Sequence, residues 1–398
     1  MGPDDGRVGV YVHVPFCERV CPYCDFAVVA ARPLAPDRER AYVDALLREL
    51  ARRAPDFAAP GGGPRPLASL YFGGGTPSLL APESLARLVS AVHAQFPAEG
   101  PVEITLEVNP STVERARLPG FRDAGVNRLS VGVQSFSDAT LKRLGRAHRA
   151  DAARATLAAA RAAGFEDLSL DLIVGAPGQR LSDLERDLDE TLAFAPEHVS
   201  AYLLTIEPGT PFARAAARGQ LALPDDDEGA LLLERLAERL EAGGLARYEI
   251  SSFARPGREA RHNRRYWERQ PVLGLGMGAW SCEPPSPEAP HGARRANVRA
   301  LDAYLARIAA GAPAAAGPPE RLAPAAARGE AAFLALRTAR GLDAARFAGE
   351  FGAPPRAFWP DVIAEAVAAG WLIENGAGDL RLSPRGMLLS DSLFERLV

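Results

Sequence analysis

The sequence predicts an α/β protein: a partial barrel of six β/α units, followed by a small C-terminal α+β domain. Three observations predict it. Short β-branched runs alternate with amphipathic helical stretches through the first half of the 398 residues, and such alternation builds a parallel sheet with right-handed crossovers. The count is six units, short of the eight of a closed barrel. A Pro/Gly/Ala stretch, Gly311–Glu320, then sets off a final segment in which helices precede a hairpin.

The elements follow in order. Gly9–Val14 is a β-branched run, and Val43, Leu46, Leu47 and Leu50 mark one face of the helix after it. Leu67–Phe72 reads as a strand, and Leu85, Leu88, Val89 and Val92 as a helix. Val102–Val108 alternates as a strand, with a helix near Val113–Ala124. Arg128–Val133 is a strand, followed by helices near Asp138–Leu144 and Ala152–Ala163. Leu168–Val174, a helix over Leu181–Phe194, and the strand Val199–Ile206 complete the six units. Asp225–Ala242 is a helix; Arg247–Ile250 and Val272–Leu275 read as further strands. Beyond the linker lie helices near Ala325–Thr338, Asp343–Glu350 and Arg356–Ala369, with Pro324 in the first turn. Trp371–Glu374 and Asp379–Leu382 flank the turn NGAG. Helices followed by such a hairpin resemble a winged helix. The expected divisions are 1–220, 221–310 and 311–398.

Composition narrows the function. The chain is 47% hydrophobic and 24% charged, ordinary for a globular protein. No apolar run approaches a membrane span. The stretch MGPDDGRVGV lacks a signal pattern, so a cytoplasmic location is expected, which suits reduced cysteines. A net charge of −4 with no basic tail argues against nucleic acid, and only Arg381 and Arg385 lie near the wing.

Cys17, Cys21 and Cys24 form C-x3-C-x2-C in the loop after the first strand. Three thiolates this close suit three corners of an iron–sulfur cube, leaving the fourth iron free to bind a small chelating molecule. A tetrahedral zinc site needs four ligands, and the remaining cysteine, Cys282, is distant in sequence. His13 would complete a Cys3His set only from the side of its strand. Four cysteines do not make a disulfide framework in a chain of this size.

Other distinctive residues fall at successive strand ends, where β/α folds concentrate function. GGGTPS, Gly73–Ser78, follows the second strand; its glycines let backbone approach a ligand closely. Glu107 and Asn109 end the third strand, Gln134 the fourth, and Asp171 lies in the fifth; Arg146 comes from the helical connection between. Acidic groups suit an ammonium and a ribose, and an arginine suits a carboxylate, so the set fits a zwitterion with hydroxyls. The alternative is that such residues only cap helices and turns.

C-x3-C-x2-C followed by GGGTP resembles the radical S-adenosylmethionine (SAM) superfamily. YVHVPFC, YFGGGTPS, EVNP, SVGVQSF, LGRAH, DLIVGAPGQ and YEISSFARPG together resemble the anaerobic coproporphyrinogen III oxidase family, from about Tyr11 to the C-terminus. The resemblance implies a partial (β/α)6 barrel of the radical SAM type. It implies a [4Fe–4S] cluster on Cys17, Cys21 and Cys24, with S-adenosylmethionine chelating the open iron. It also implies S-adenosylmethionine contacts from Tyr11, Gly74, Gly75, Thr76, Glu107, Gln134, Arg146 and Asp171, with Tyr23 on the adenine side.

The family has an oxidase branch and a heme-chaperone branch of HemW type. Oxidases resemble C-x3-C-x2-C-x-C, but Phe26 stands at the additional position, and only sixteen residues precede Cys17 where oxidases carry a longer extension. The chaperone branch is marked by H-N-x-x-Y-W, here His262, Asn263, Tyr266 and Trp267 around Arg264 and Arg265. A histidine can ligate heme iron, the aromatics offer flat apolar surface, and the arginines could meet propionates. The alternative is a purely structural segment. Ser252 and Trp280 depart from residues frequent in the family, Trp280 replacing a histidine in that part of the pocket. The expected function is a heme chaperone delivering heme to apo-proteins, carrying the cluster and S-adenosylmethionine, rather than an enzyme. The alternative is an oxygen-independent coproporphyrinogen III oxidase. A transient meeting with the membrane and a homodimer stay open here.

Overall fold

The computed structural model describes residues 4–59 and 61–398. The first three residues of the stretch expected to lack a signal pattern lie outside the described residues.

One twelve-stranded sheet organises the chain. Its first half is the expected series: β1 (Val8–Val14), α1 (Pro36–Arg53), β2 (Leu67–Gly74), α2 (Pro82–Gln95), β3 (Glu103–Val108), α3 (Thr112–Asp123), β4 (Arg128–Gln134), α4 (Asp138–Arg143), α5 (Ala150–Ala162), β5 (Asp167–Val174), α6 (Leu181–Ala193) and β6 (His198–Leu203). These strands pair in parallel and in sequence order. Period-2 patterning decides which way each residue faces. Val8, Val10, Val12 and Val14 are fully buried, while Tyr11 and His13 alternate with them, bonded to each other, with the Tyr11 ring stacked on Tyr71 of β2. Caps start the helices: Ser111 and Ser137 accept the N–H groups of Glu114 and Thr140.

The following segment extends both edges of this sheet. After α7 (Asp226–Ala242) come β7 (Ala246–Glu249), β8 (Ser252–Ala254), α8 (Arg261–Trp267), β9 (Val272–Leu275), β10 (Trp280–Glu283), β11 (Ala293–Ala296), α9 (Leu301–Ala309) and β12 (Glu320–Arg321). The strand order is β12-β11-β10-β9-β1-β2-β3-β4-β5-β6-β8-β7. Only β9 joins in parallel, beside β1. The terminal strands β12 and β7 are not bonded to each other, so the barrel is partial. One hydrophobic core runs from Val8 to Ala314, covering residues of both 1–220 and 221–310.

A second core, residues 331–397, belongs to the C-terminal domain. It contains α10 (Pro324–Leu336), α11 (Ala344–Phe351), α12 (Pro360–Ala368) and the hairpin β13 (Leu372–Glu374) and β14 (Leu380–Leu382). The order of helices then hairpin is as expected. In the turn, the Asn375 side chain accepts the N–H groups of Ala377 and Asp379.

Two expectations need correction. Gly311–Glu320 is not a free linker. The Val298 N–H donates to the Ala314 carbonyl at 3.0 Å and the Ala316 N–H to Ala296 at 2.8 Å. Its small side chains let it lie flat along the sheet edge, burying Ala314 and Ala315. The helix expected over Arg356–Ala369 is two, Pro355–Phe358 and α12, broken at Trp359, whose dihedrals leave the helical region before Pro360.

Candidate functional site

The cysteine loop is closed at its base. Phe16–Cys17 pairs with Val29–Ala30, and Gly75 and Thr76 donate backbone N–H groups to the Val14 and Phe16 carbonyls at 2.8 Å. The glycine run is needed for this contact. A Cβ on Gly75 would lie 2.8 Å from the Phe16 oxygen, and one on Gly74 (φ +111°) would lie 2.5 Å from the His13 ring.

Cys17, Cys21 and Cys24 all line one cavity of about 420 Å³ and form no disulfide. Donors point at the sulfurs. The Thr76 hydroxyl stands 3.8 Å from Cys17 Sγ and Arg146 Nη1 3.5 Å from Cys21 Sγ. Asn109 joins these donors, giving its Nδ2–H to Thr76 at 2.7 Å and accepting from Arg146. Burial pushes the Cys17 thiol up to about 11, so a metal must displace its proton. Arg146 lines the cavity, its Nη1 also 3.4 Å from the Tyr23 hydroxyl, which leaves a cation beside the sulfurs. Neutralised sulfurs with hydrogen-bond donors around them suit an iron–sulfur cluster. His13 is otherwise engaged, with Nε2 2.8 Å from the Ala27 carbonyl and Nδ1 3.1 Å from the Tyr11 hydroxyl.

Two carboxylates face the same cavity from β3 and β5. Glu107 accepts from the Tyr71 hydroxyl at 2.9 Å and the Gly74 N–H at 3.1 Å. Burial, then the neighbouring Asp171, raises its pKa to about 7. Asp171 accepts the Ser130 hydroxyl on both oxygens at 3.0 Å, yet burial still raises it to about 6. Two carboxylates held near neutrality together are a site for a cation. Gln134 lines the cavity from a left-handed backbone, φ +64°, a strained conformation for glutamine.

Most expected residues therefore meet in one place. Tyr23, Gly74, Gly75, Thr76, Glu107, Gln134, Arg146 and Asp171 line the cavity with the cysteines. Tyr11 is not among the lining residues; it stacks behind Tyr71, ring centroids 6.1 Å apart. Ser130, Ser200 and Tyr202 also line it and were not singled out from the sequence. Their signal is period-2 register: each lies two or four residues along a strand from another inward-facing position.

The H-N-x-x-Y-W segment forms α8. Glu103 accepts the backbone N–H groups of Arg261 and His262 at 2.9 and 3.0 Å, capping its first turn. Asn263 lines the cavity; His262, Tyr266 and Trp267 do not. His262 is 1% exposed. Its Nδ1 hydrogen-bonds Ser69 at 2.9 Å and its Nε2 the Tyr266 hydroxyl at 3.2 Å. Burial and the nearby Arg265 lower its pKa to about 3. Trp267 lies under the Arg337 guanidinium, 4.5 Å from the ring centre. Arg265 is not free for a propionate: it is buried and paired with Asp5 at 2.9 Å. Arg264 pairs with Glu268 at 2.7 Å. Trp280 does not line the cavity; it lies on β10, 55% exposed.

Comparison with known proteins gives the family. Residues 11–191 match the Radical SAM superfamily and residues 322–389 the HemN C-terminal domain. Heme chaperone HemW of Bacillus subtilis (strain 168) is 34% identical, over 96% of this chain and 97% of that protein. Heme chaperone HemW of Mycobacterium tuberculosis (strain ATCC 25618 / H37Rv) is 38% identical, over 100% of this chain and 97% of that protein. The structure of coproporphyrinogen III oxidase (HemN) from Escherichia coli superposes with a TM-score of 0.82 at 23% identity, covering 98% of this chain and 90% of that one, a likeness of fold. Radical SAM proteins carry a [4Fe–4S] cluster and S-adenosylmethionine, and the cavity's residues fit both. With near-complete coverage at these identities, the chain belongs to the HemW family within the radical SAM superfamily.

Proposed function

We propose that the protein is a heme chaperone, binding heme and handing it to heme-accepting apo-proteins. Membership in the HemW family over the whole chain length carries this reading. Phe26 supports it: at the position of the oxidase pattern's further cysteine stands an apolar side chain, 62% exposed beside Cys24. The same proposal places the work in the cytoplasm, where thiols stay reduced. No helix among the described residues is long and apolar enough to cross a membrane.

The residue roles belong to this proposal. Cys17, Cys21 and Cys24 hold the cluster. A cluster held there would supply an iron with an open position for S-adenosylmethionine. Glu107 and Asp171 offer negative charge to a cationic ligand. Arg146 sets a guanidinium beside Cys21, and Gly74, Gly75 and Thr76 let backbone approach the ligand. Gln134 and Tyr23 complete the wall, with Tyr11 behind it. In α8, Asn263 reaches the cavity while His262, Tyr266 and Trp267 hold the helix in the protein interior. Iron ligation by His262 would require its bonds to Ser69 or Tyr266 to open.

The test is a transfer assay. Heme-loaded protein is mixed anaerobically with apomyoglobin, and the myoglobin spectrum is followed. In parallel, coproporphyrinogen III, S-adenosylmethionine and a reductant are added to cluster-loaded protein. Heme transfer without porphyrinogen turnover is expected. Catalytic conversion of coproporphyrinogen III without transfer would make the protein an oxidase.

A further inference from the structure

Helix α8 lies against the inward faces of β2 and β3, beside the cavity. Alternation puts Ser69 and Tyr71 on one face of β2, and Glu103 and Glu107 on one face of β3. From these faces the cavity takes Tyr71 and Glu107. The helix takes the other two: Ser69 meets His262 Nδ1 at 2.9 Å, and Glu103 accepts the His262 N–H at 3.0 Å. His262 is thus one step behind the cavity wall without lining it.

Tyr71 connects the two. Its ring stacks on the His262 imidazole, with centroids 5.2 Å apart and planes 28° from parallel. Tyr11 completes the group, 6.1 Å from Tyr71 and 6.3 Å from His262. Both nitrogens of the imidazole are held, one by Ser69 and the other by the Tyr266 hydroxyl at 3.2 Å. At its far end, the Tyr71 hydroxyl donates to Glu107 Oε1 at 2.9 Å. Gly73 leaves room for this meeting: a Cβ there would lie 2.8 Å from the Tyr71 ring and 3.0 Å from both Glu107 and Tyr11. His262 is uncharged near neutral pH, so it acts on Glu107 through packing and not through charge.

The hydroxyl matters to Glu107. The other carboxylate oxygen has the Gly74 N–H at 3.1 Å. Tyr11, Asp171 and Tyr202 also face this carboxyl, and Arg128 faces Tyr71 and Asp171. Asp171 pushes the Glu107 pKa up, and the Tyr71 bond pulls it down. A Tyr71 ring released from the imidazole withdraws a donor from the charged form, which raises the pKa further.

We propose that His262 is a positioning residue for the S-adenosylmethionine site, its fixed ring holding Tyr71 so that the Tyr71 hydroxyl orients Glu107 toward the ligand. The inference rests on the reading of Glu107 as a ligand contact, and it gives the H-N-x-x-Y-W segment a role in the cofactor site. The test is calorimetry of S-adenosylmethionine binding to cluster-loaded full-length protein across pH 6 to 8. The variants are Tyr71→Phe, His262→Gln, His262→Phe, Glu107→Gln and the double variant of the first two. Tyr71→Phe should lower affinity about 3- to 10-fold, the worth of one hydrogen bond, and move the rise in affinity to higher pH. His262→Gln fills the space without a ring; it should do the same, and add nothing in the Tyr71→Phe background. His262→Phe restores a ring and should bring the pH dependence back toward wild type. Tyr71→Phe keeps the packed ring, so it reads the same link even where His262→Gln loads no cluster. A wild-type pH dependence in Tyr71→Phe or in His262→Gln, with Glu107→Gln weakened, overturns this inference alone. Wild-type affinity in Glu107→Gln overturns it together with the reading of Glu107.

Discussion

At Glu107, burial and a like charge hold a carboxyl near pH 7, with Asp171 near pH 6. The sign follows from both values lying above those of free carboxyls. Below about pH 6 both groups are protonated and offer a cation nothing; above 7 both are charged. S-adenosylmethionine affinity, measured by calorimetry on cluster-loaded protein, should therefore rise between pH 6 and 8. Glu107→Gln should lower affinity about 10- to 100-fold, from the roughly 1.5–3 kcal/mol of a hydrogen bond to a charged group, and flatten the pH slope. The same shift works against the ligand-free fold. Its native carboxyl pKa is raised, so the protonated form's stability is present at low pH and lost as pH climbs through 7. Melting without ligand should fall over that range, and less so in Glu107→Gln. Glu107, Gln134, Arg146 and Asp171 were legible because they stand in dense motifs at strand ends. Ser130, Ser200 and Tyr202 were not, since serine and tyrosine in a strand carry no chemical signature until its register is known. His262 was legible as a distinctive residue, but its buried bonds to Ser69 and Tyr266 depend on tertiary contacts.

Among the elements, the cysteine loop depends on the strand end beside it. A Cβ on Gly75 would press on the Pro15 and Phe16 backbone at 2.8 Å, and neither can rotate away. Gly75→Ala should cost about 1–3 kcal/mol, as overpacking does, and reduce iron content after reconstitution. Cys21→Ala should instead lose the iron and its visible absorption while melting stays close to wild type, because Cys21 is outside the hydrophobic cores. The β/α units were readable from apolar periodicity, since each buries one face. Helix α8 was not: RHNRRYW has no apolar stripe, and its first turn is held by Glu103 from a strand some 160 residues earlier. Glu103→Ala should lower stability by about 0.5–2 kcal/mol, the range for a lost cap, with cluster absorption retained.

For the whole molecule, the barrel and the C-terminal domain meet through buried charge. Arg269, with its side chain 2% exposed and its backbone at φ +52°, holds Glu330 and Glu350 at 3.0 Å. Removing one partner of a buried pair costs about 3–5 kcal/mol. Arg269→Ala should split thermal unfolding into two transitions, or expose residues 311–323 to protease. The six-unit count was readable from sequence, but the twelve-stranded sheet was not. Strands such as Ser252–Ala254 and Ala293–Ala296 are three or four residues long, and pairing across the sheet edge rather than propensity makes them strands. The supposed linker failed for the same reason, its flat alanines completing an edge. In the function proposed above, a cluster-bearing radical SAM scaffold carries heme. A stoichiometric anaerobic heme titration of the cluster-loaded chain, with iron and sulfide counted on the same sample, tests this. Saturation at about one heme per chain with the cluster bands intact is the predicted result; a cluster-loaded chain that takes up no heme would contradict it.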